Sequence, residues 1–117
     1  MRYLLDTNIW IFYLKNLSSP VGVRLRKTYV HEIAVCSVVR AELLERTLSP
    51  FTSLPFDDAA AGHYAIIRDD LESRGVTIGP NDLMIAAIAA AHQLTLVSNN
   101  REFNRVGGIR VEDWTIE

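Results

Sequence analysis

The chain has 117 residues, 49% hydrophobic and 22% charged, a balance that excludes disorder and supports one ordinary core without staples. Its formal charge of -2 gives no global basic field of the kind that marks a strong duplex binder, although local basic patches remain compatible with it. The single Cys36 rules out an internal disulfide and suits a reducing compartment. The longest apolar run, LMIAAIAAA at 83–91, falls short of the roughly 18 residues of a membrane span. Near the amino terminus Asp6 interrupts the apolar stretch a signal peptide would need, so the expected location is the cytoplasm.

Taken in order, Tyr3 to Asp6 is a short apolar run that predicts a buried strand, and Asn8 to Lys15 carries apolar residues at helical spacing. Ser18 or Ser19 caps a second helix with Pro20 in its first turn. Val21, Leu25 and Tyr29 form its apolar stripe, and Arg24, Arg26 and Lys27 its basic outer face. IAVCS at 33–37 is a second strand, followed by a helix from Ser37 to about Thr47. LPF at 54–56 is extended, because the residue before Pro55 is biased away from helix. Asp57 or Asp58 caps a long helix with Tyr64, Ile67 and Leu71 on its apolar side, stopped at Gly75. Gly79 and Pro80 break the chain before a helix from about Asn81 to His92. TLVS at 95–98 is a third strand and GIRVED at 108–113 a fourth.

Strands alternating with helices predict a single α/β domain over 1–117, with a central parallel sheet of about four strands between two helical layers. Right-handed crossovers put the strand-to-helix turns on one edge, and such sheets bind ligands beyond the carboxyl ends of their strands. Asp6 ends the first strand, Glu42 lies early in the helix leaving the second, Asp82 opens a later helix, and Glu102 follows the third strand through SNNR at 98–101. Acids gathered at one rim repel unless a cation sits between them, and magnesium or manganese prefers carboxylate oxygens. Each acid alone also has a purely structural reading. Asp6 suits a local turn, Glu42 an ion pair with Arg46, Asp82 a helix start, and Glu102 a solvated turn. The joint placement is what favours a metal. Thr7, Asn8, Ser98, Asn99 and Asn100 supply uncharged groups that orient a carboxylate or a phosphate oxygen, or serve as ordinary caps.

The chain resembles the PIN-domain ribonucleases, and among them the VapC-type toxins of bacterial toxin–antitoxin pairs. The likeness rests on LLDTNIW (4–10), CSVVRAELL (36–44), LPFD (54–57), IGPNDLMIAAIA (78–89) and LVSNNREFNRVGGIRVEDW (96–114), in the family's order. It implies a compact α/β domain, an acidic pocket for Mg2+ or Mn2+, and cleavage of RNA, often transfer RNA. It also implies inhibition by a cognate VapB-type antitoxin, and pairing as a homodimer. Carried over, Asp6, Glu42 and Asp82 match the first three family acids. The fourth position is an acid aligned with Asn100 in some members, and the later glutamate, here Glu102, in relatives with the NN…REF pattern. Relatives also carry a further helical segment where this chain has only LLERTLSPFTS, so the domain reads as shortened between about 45 and 53.

Within that resemblance Asp6 and Asp82 are expected as the main metal ligands, with Glu42 and Glu102 orienting water or a second ion. His31, His63 and His92 share no ligand spacing with one another or with Cys36. Arg24, Arg26, Lys27, Arg40, Arg46, Arg101 and Arg105 are the candidate cations for RNA phosphates, or else a solvated face. Trp10, Phe12, Tyr13, Leu14 and Leu17 either receive an antitoxin helix or pack on the sheet. An aspartyl phosphotransferase fits less well, because Asn8 stands where a second acid is wanted. The contrasting class is a catalytically silent module that only binds a protein partner.

Overall fold

In a computed structural model of the protein, residues 1–42 and 51–116 are described, and of residues 40–42 only the backbone. The strands are β1 (Tyr3–Leu5), β2 (Ile33–Cys36), β3 (Thr52–Leu54), β4 (Thr95–Val97) and β5 (Arg110–Glu112). They form one sheet in the order β3-β2-β1-β4-β5. Every pairing is parallel, with Leu4 opposite Ala34 on one side and Leu96 on the other. The three central strands are wholly buried, which is why each reads as an unbroken apolar run rather than an alternation.

The sheet thus has one strand more than expected. β3 lies just before Pro55 and pairs Ala34 with Thr52 and Cys36 with Leu54. Only Leu54 of its three residues is buried, so an edge strand of this length leaves almost no periodic trace in the sequence.

The described helices are α1 (Thr7–Lys15), α2 (Pro20–Lys27), α3 (Ser37–Glu42), α4 (Asp58–Ser73) and α5 (Pro80–Ala91). Their starts follow local chemistry. Asp6 accepts from the Ile9 amide, Ser19 from Gly22 and Asp57 from Ala60, each a side-chain cap on an otherwise orphaned N–H. Gly22 has a further reason to be glycine: a β-carbon there would lie 2.0 Å from the Leu17 carbonyl oxygen. α4 ends where Gly75 takes a positive φ of 71° and Val76 N–H closes onto the Leu71 carbonyl. The expected continuation of α3 to Thr47 lies outside the described residues, as do Arg46 and most of the shortened 45–53 stretch.

One expectation about α2 is corrected. Val21 is buried and Leu25 packs against the core, but Tyr29 falls beyond the helix and is 71% exposed. Thr28 ends α2 in extended backbone, so the four-residue spacing no longer carries Tyr29 to the apolar face.

α5 buries Leu83, Ile85, Ala86, Ala87, Ile88 and Ala89 and packs along α4. Its alanines allow close approach on more than one side, so its position is fixed by tight packing. The end of the chain is clasped as well. Trp114 is buried edge-on to Tyr3, its indole N–H donates to Glu112, and the Arg24 guanidinium lies 4.6 Å over its ring.

Candidate acidic site

Asp6 is the last residue before α1, and its carboxylate is pinned at both oxygens. Oδ1 accepts from the Ile9 amide at 3.1 Å, and Oδ2 accepts from the Ser98 hydroxyl at 2.5 Å. Ser98 directly follows β4, the neighbour of β1, so the sheet register brings two residues 92 positions apart into contact. Ser98 Oγ in turn accepts the Asn100 N–H at 3.0 Å. The Asn100 side chain then reaches α5: its Nδ2 donates to Asp82 Oδ2 at 3.2 Å. Its Oδ1 accepts the Glu102 N–H at 3.0 Å, capping the 3₁₀ turn Arg101–Arg105.

Asp6 is only 3% exposed. Burial pushes its carboxyl up from 3.8 to about 6, and the nearby charge of Asp82 adds to the rise. Hydrogen bonds from Ser98 and from the amides of Ile9 and Asn8 pull the other way without cancelling it. A buried carboxylate raised by a second one is a group whose ionised form is short of a positive partner. Hard anionic oxygens of this kind suit Mg2+ or Mn2+, and magnesium typically takes one or two carboxylates and keeps several waters.

Of the four expected acids, the structure brings Asp6 and Asp82 together. Glu102 is tied to them through its backbone, at the N-terminal turn of the 3₁₀ segment. Glu42 sits on α3, as expected, with its side chain outside the described residues. Among the described residues no three His, Cys, Asp or Glu side chains gather into a ready-made metal cluster. Thr7 and Asn8 open α1, with Asn8 exposed and its amide facing Asp6. The bond from Asn100 to Asp82 had no signature in the sequence, because it depends on where α5 docks against the turn after β4.

The expected cations divide. Arg101 is exposed at the turn beside Asn100, whereas Arg105 donates to the Thr77 carbonyl and Arg24 pairs with Glu112. Arg26 donates to the Leu17 carbonyl, and Lys27 is exposed. The aromatics also divide. Trp10 is buried, 5.0 Å from the Phe51 ring, so packing is its role. Leu14 and Leu17 are 47% and 55% exposed, and with Tyr13, Leu25, Val30 and Phe51 they line an apolar cleft of about 410 Å³.

The first strand of the parallel sheet thus ends in an acid that is linked through Ser98 and Asn100 to a second acid on a packed helix. Residues 44–109 match the family model described as PIN domain, and the chain belongs to the PIN-domain family, among its VapC-type members. The "tRNA(fMet)-specific endonuclease VapC" of Shigella flexneri is 38% identical, covering 98% of this chain and 99% of the relative. The protein of the same description from Salmonella typhimurium is 36% identical, over 97% and 98%. Among solved structures, DNA-bound VapBC from Salmonella typhimurium superposes with a TM-score of 0.90 at 34% identity, covering 97% of this chain and 98% of that one. VapBC2 from Rickettsia felis, bound to a promoter DNA fragment, gives 0.86 at 32%, covering 97% and 99%. The alignments to the two VapC endonucleases run over 133 and 131 positions against 117 residues here, so they include positions this chain lacks.

Proposed function

We propose that the protein is an endoribonuclease that cuts RNA phosphodiester bonds with the help of Mg2+ or Mn2+ and acts as the toxin of a toxin–antitoxin pair. The observation that carries this reading is the buried Asp6, held across the sheet and linked through Ser98 and Asn100 to Asp82. Asp6 and Asp82 would hold the ion, with Glu42 and Glu102 as the further acids of the site. Such an ion would lower the pKa of a water and offset charge on the scissile phosphate. The protein's own part is to keep two carboxylates fixed and one of them dry, so that little reorganisation accompanies the reaction. Exposed Arg101 stands at the same turn as a candidate for a substrate phosphate.

Transfer RNA is the proposed substrate class, since the VapC endonucleases of Shigella and Salmonella are described as acting on tRNA(fMet). An antitoxin of the VapB type is the proposed partner, because the solved relatives are VapBC complexes. The apolar cleft beside Leu14 and Leu17 suits the apolar face of such a segment. Self-pairing accompanies the resemblance and is read by sedimentation of the isolated chain. No described helix is long and apolar enough to cross a membrane, and the cytoplasm, where RNA is available, is the proposed location.

The test is incubation of purified protein with total cellular RNA, with and without magnesium, followed by mapping of cut ends. Discrete cuts that stop on adding EDTA are expected. Intact RNA under every metal condition would leave a binding module in place of an enzyme.

A further inference from the structure

We infer that Asn100 is a positioning residue that sets Asp82 relative to Asp6, and that the position requires its amide donor rather than a carboxylate. The inference deepens the ribonuclease reading and rests on it.

The backbone N–H and both ends of the side chain of this residue are committed. Its backbone N–H holds the Ser98 hydroxyl, which donates to Asp6; its Oδ1 caps the turn at Glu102; its Nδ2 donates to Asp82. Three acids far apart in the chain thus take their bearings from one side chain and its own backbone. An acid here would be a further anionic oxygen source at the rim. The bond to Asp82 argues against that use, because only a donor can face a carboxylate oxygen at 3.2 Å without repulsion. Ligand duty and donor duty demand opposite chemistry from the same atom.

The geometry also separates the two structural jobs of the side chain. Aspartate keeps an oxygen where Oδ1 is, so Asn100→Asp preserves the cap on the Glu102 N–H and loses only the donor to Asp82. Serine is a good cap but too short to span to Asp82, so Asn100→Ser does the same without adding charge. Three readings then give three patterns. If Asn100 only caps the turn, both variants behave like the unaltered protein. If the position is meant for an acid, Asn100→Asp cuts as fast or faster while Asn100→Ser does not. If Asn100 positions Asp82, both lose turnover.

The experiment measures kcat and KM on one RNA substrate for the three proteins, with Mn2+ binding to Asn100→Ser followed by calorimetry and folding checked by thermal melts. The expected result is a fall in kcat of fivefold or more in both variants, KM within twofold, and Mn2+ bound at least threefold more weakly by Asn100→Ser. A smaller fall in kcat for either variant, or unchanged Mn2+ affinity in Asn100→Ser, overturns the inference. Should the unaltered protein cut no RNA, the ribonuclease reading fails by itself, and the calorimetric comparison alone decides the role of Asn100.

Discussion

Ser98 and Asp6 meet through a 2.5 Å hydrogen bond between the ends of two adjacent parallel strands, and both side chains are buried. Ser98→Ala removes the only donor among the described side chains that reaches Asp6 Oδ2. A hydrogen bond to a charged, buried acceptor contributes about 1.5–3 kcal/mol, so urea denaturation at pH 7 is expected to show a loss of that size. The same change takes away an influence that lowers the Asp6 pKa, so carboxyl NMR titration is expected to find it above the unaltered value. Ser98→Thr, which keeps the hydroxyl, is expected to retain most of both.

Metal-free stability is expected to fall as pH rises. The folded Asp6 carboxyl titrates near 6 against 3.8 for an unperturbed one, so between those values the folded state binds more protons than the unfolded. Stability is then fully present below about 3.8, declines through the window, and levels off above 6. The whole step is about 3 kcal/mol by the usual conversion of pKa to free energy. Comparing Asp6→Asn with the unaltered protein at pH 4.5 and 7.5 captures about 2 kcal/mol of it, since the amide does not titrate. Equal stability differences at the two pH values would sink the assignment.

Added Mg2+ or Mn2+ is expected to reverse that decline. At pH 7.5 a cation present at a hundred times its dissociation constant adds about 2.7 kcal/mol to unfolding. At pH 4.5, where protons compete for Asp6, the gain is expected to fall below about 1 kcal/mol, and in Asp6→Asn it is expected to be small at both. Thermal melts with and without metal read this directly. RNA cleavage is expected to be lost in the same variant while its melt shows an intact fold.

The clasp at the carboxyl end is a structural prediction independent of the site. Trp114 is 1% exposed against Tyr3, and Trp114→Ala is expected to cost about 3–5 kcal/mol through lost packing. Arg24→Ala removes an exposed ion pair and a cation over the indole, and about 1 kcal/mol is expected from the latter. A chemical denaturation series on the two variants checks the ratio.

Leu17→Glu is expected to leave folding unchanged, because the side chain is 55% exposed, yet to weaken the complex with a co-expressed antitoxin tenfold or more. Binding measured by calorimetry, with circular dichroism as the control, decides whether the apolar cleft is the docking surface.

The sequence by itself determined the alternation of strands and helices, the parallel sheet, and the choice of edge. Buried parallel strands must be apolar throughout, and caps such as Asp6, Ser19 and Asp57 must be short polar side chains. It also offered Asp6, Glu42, Asp82 and Glu102 as candidates, because acids placed after strands or early in helices stand out locally. What only the tertiary structure decided was who touches whom. β3 became a strand because β2 offered an open edge, Tyr29 turned outward because α2 ended early, and Trp10 went inside while Leu14 and Leu17 stayed at the surface. By resemblance Asn100 stood where some relatives carry a fourth acid, and otherwise as a polar turn residue; its bond to Asp82 exists because α5 packs where it does. Local chemistry is written within a few residues of itself, whereas a contact spanning 18 or 92 positions depends on how every intervening element has packed.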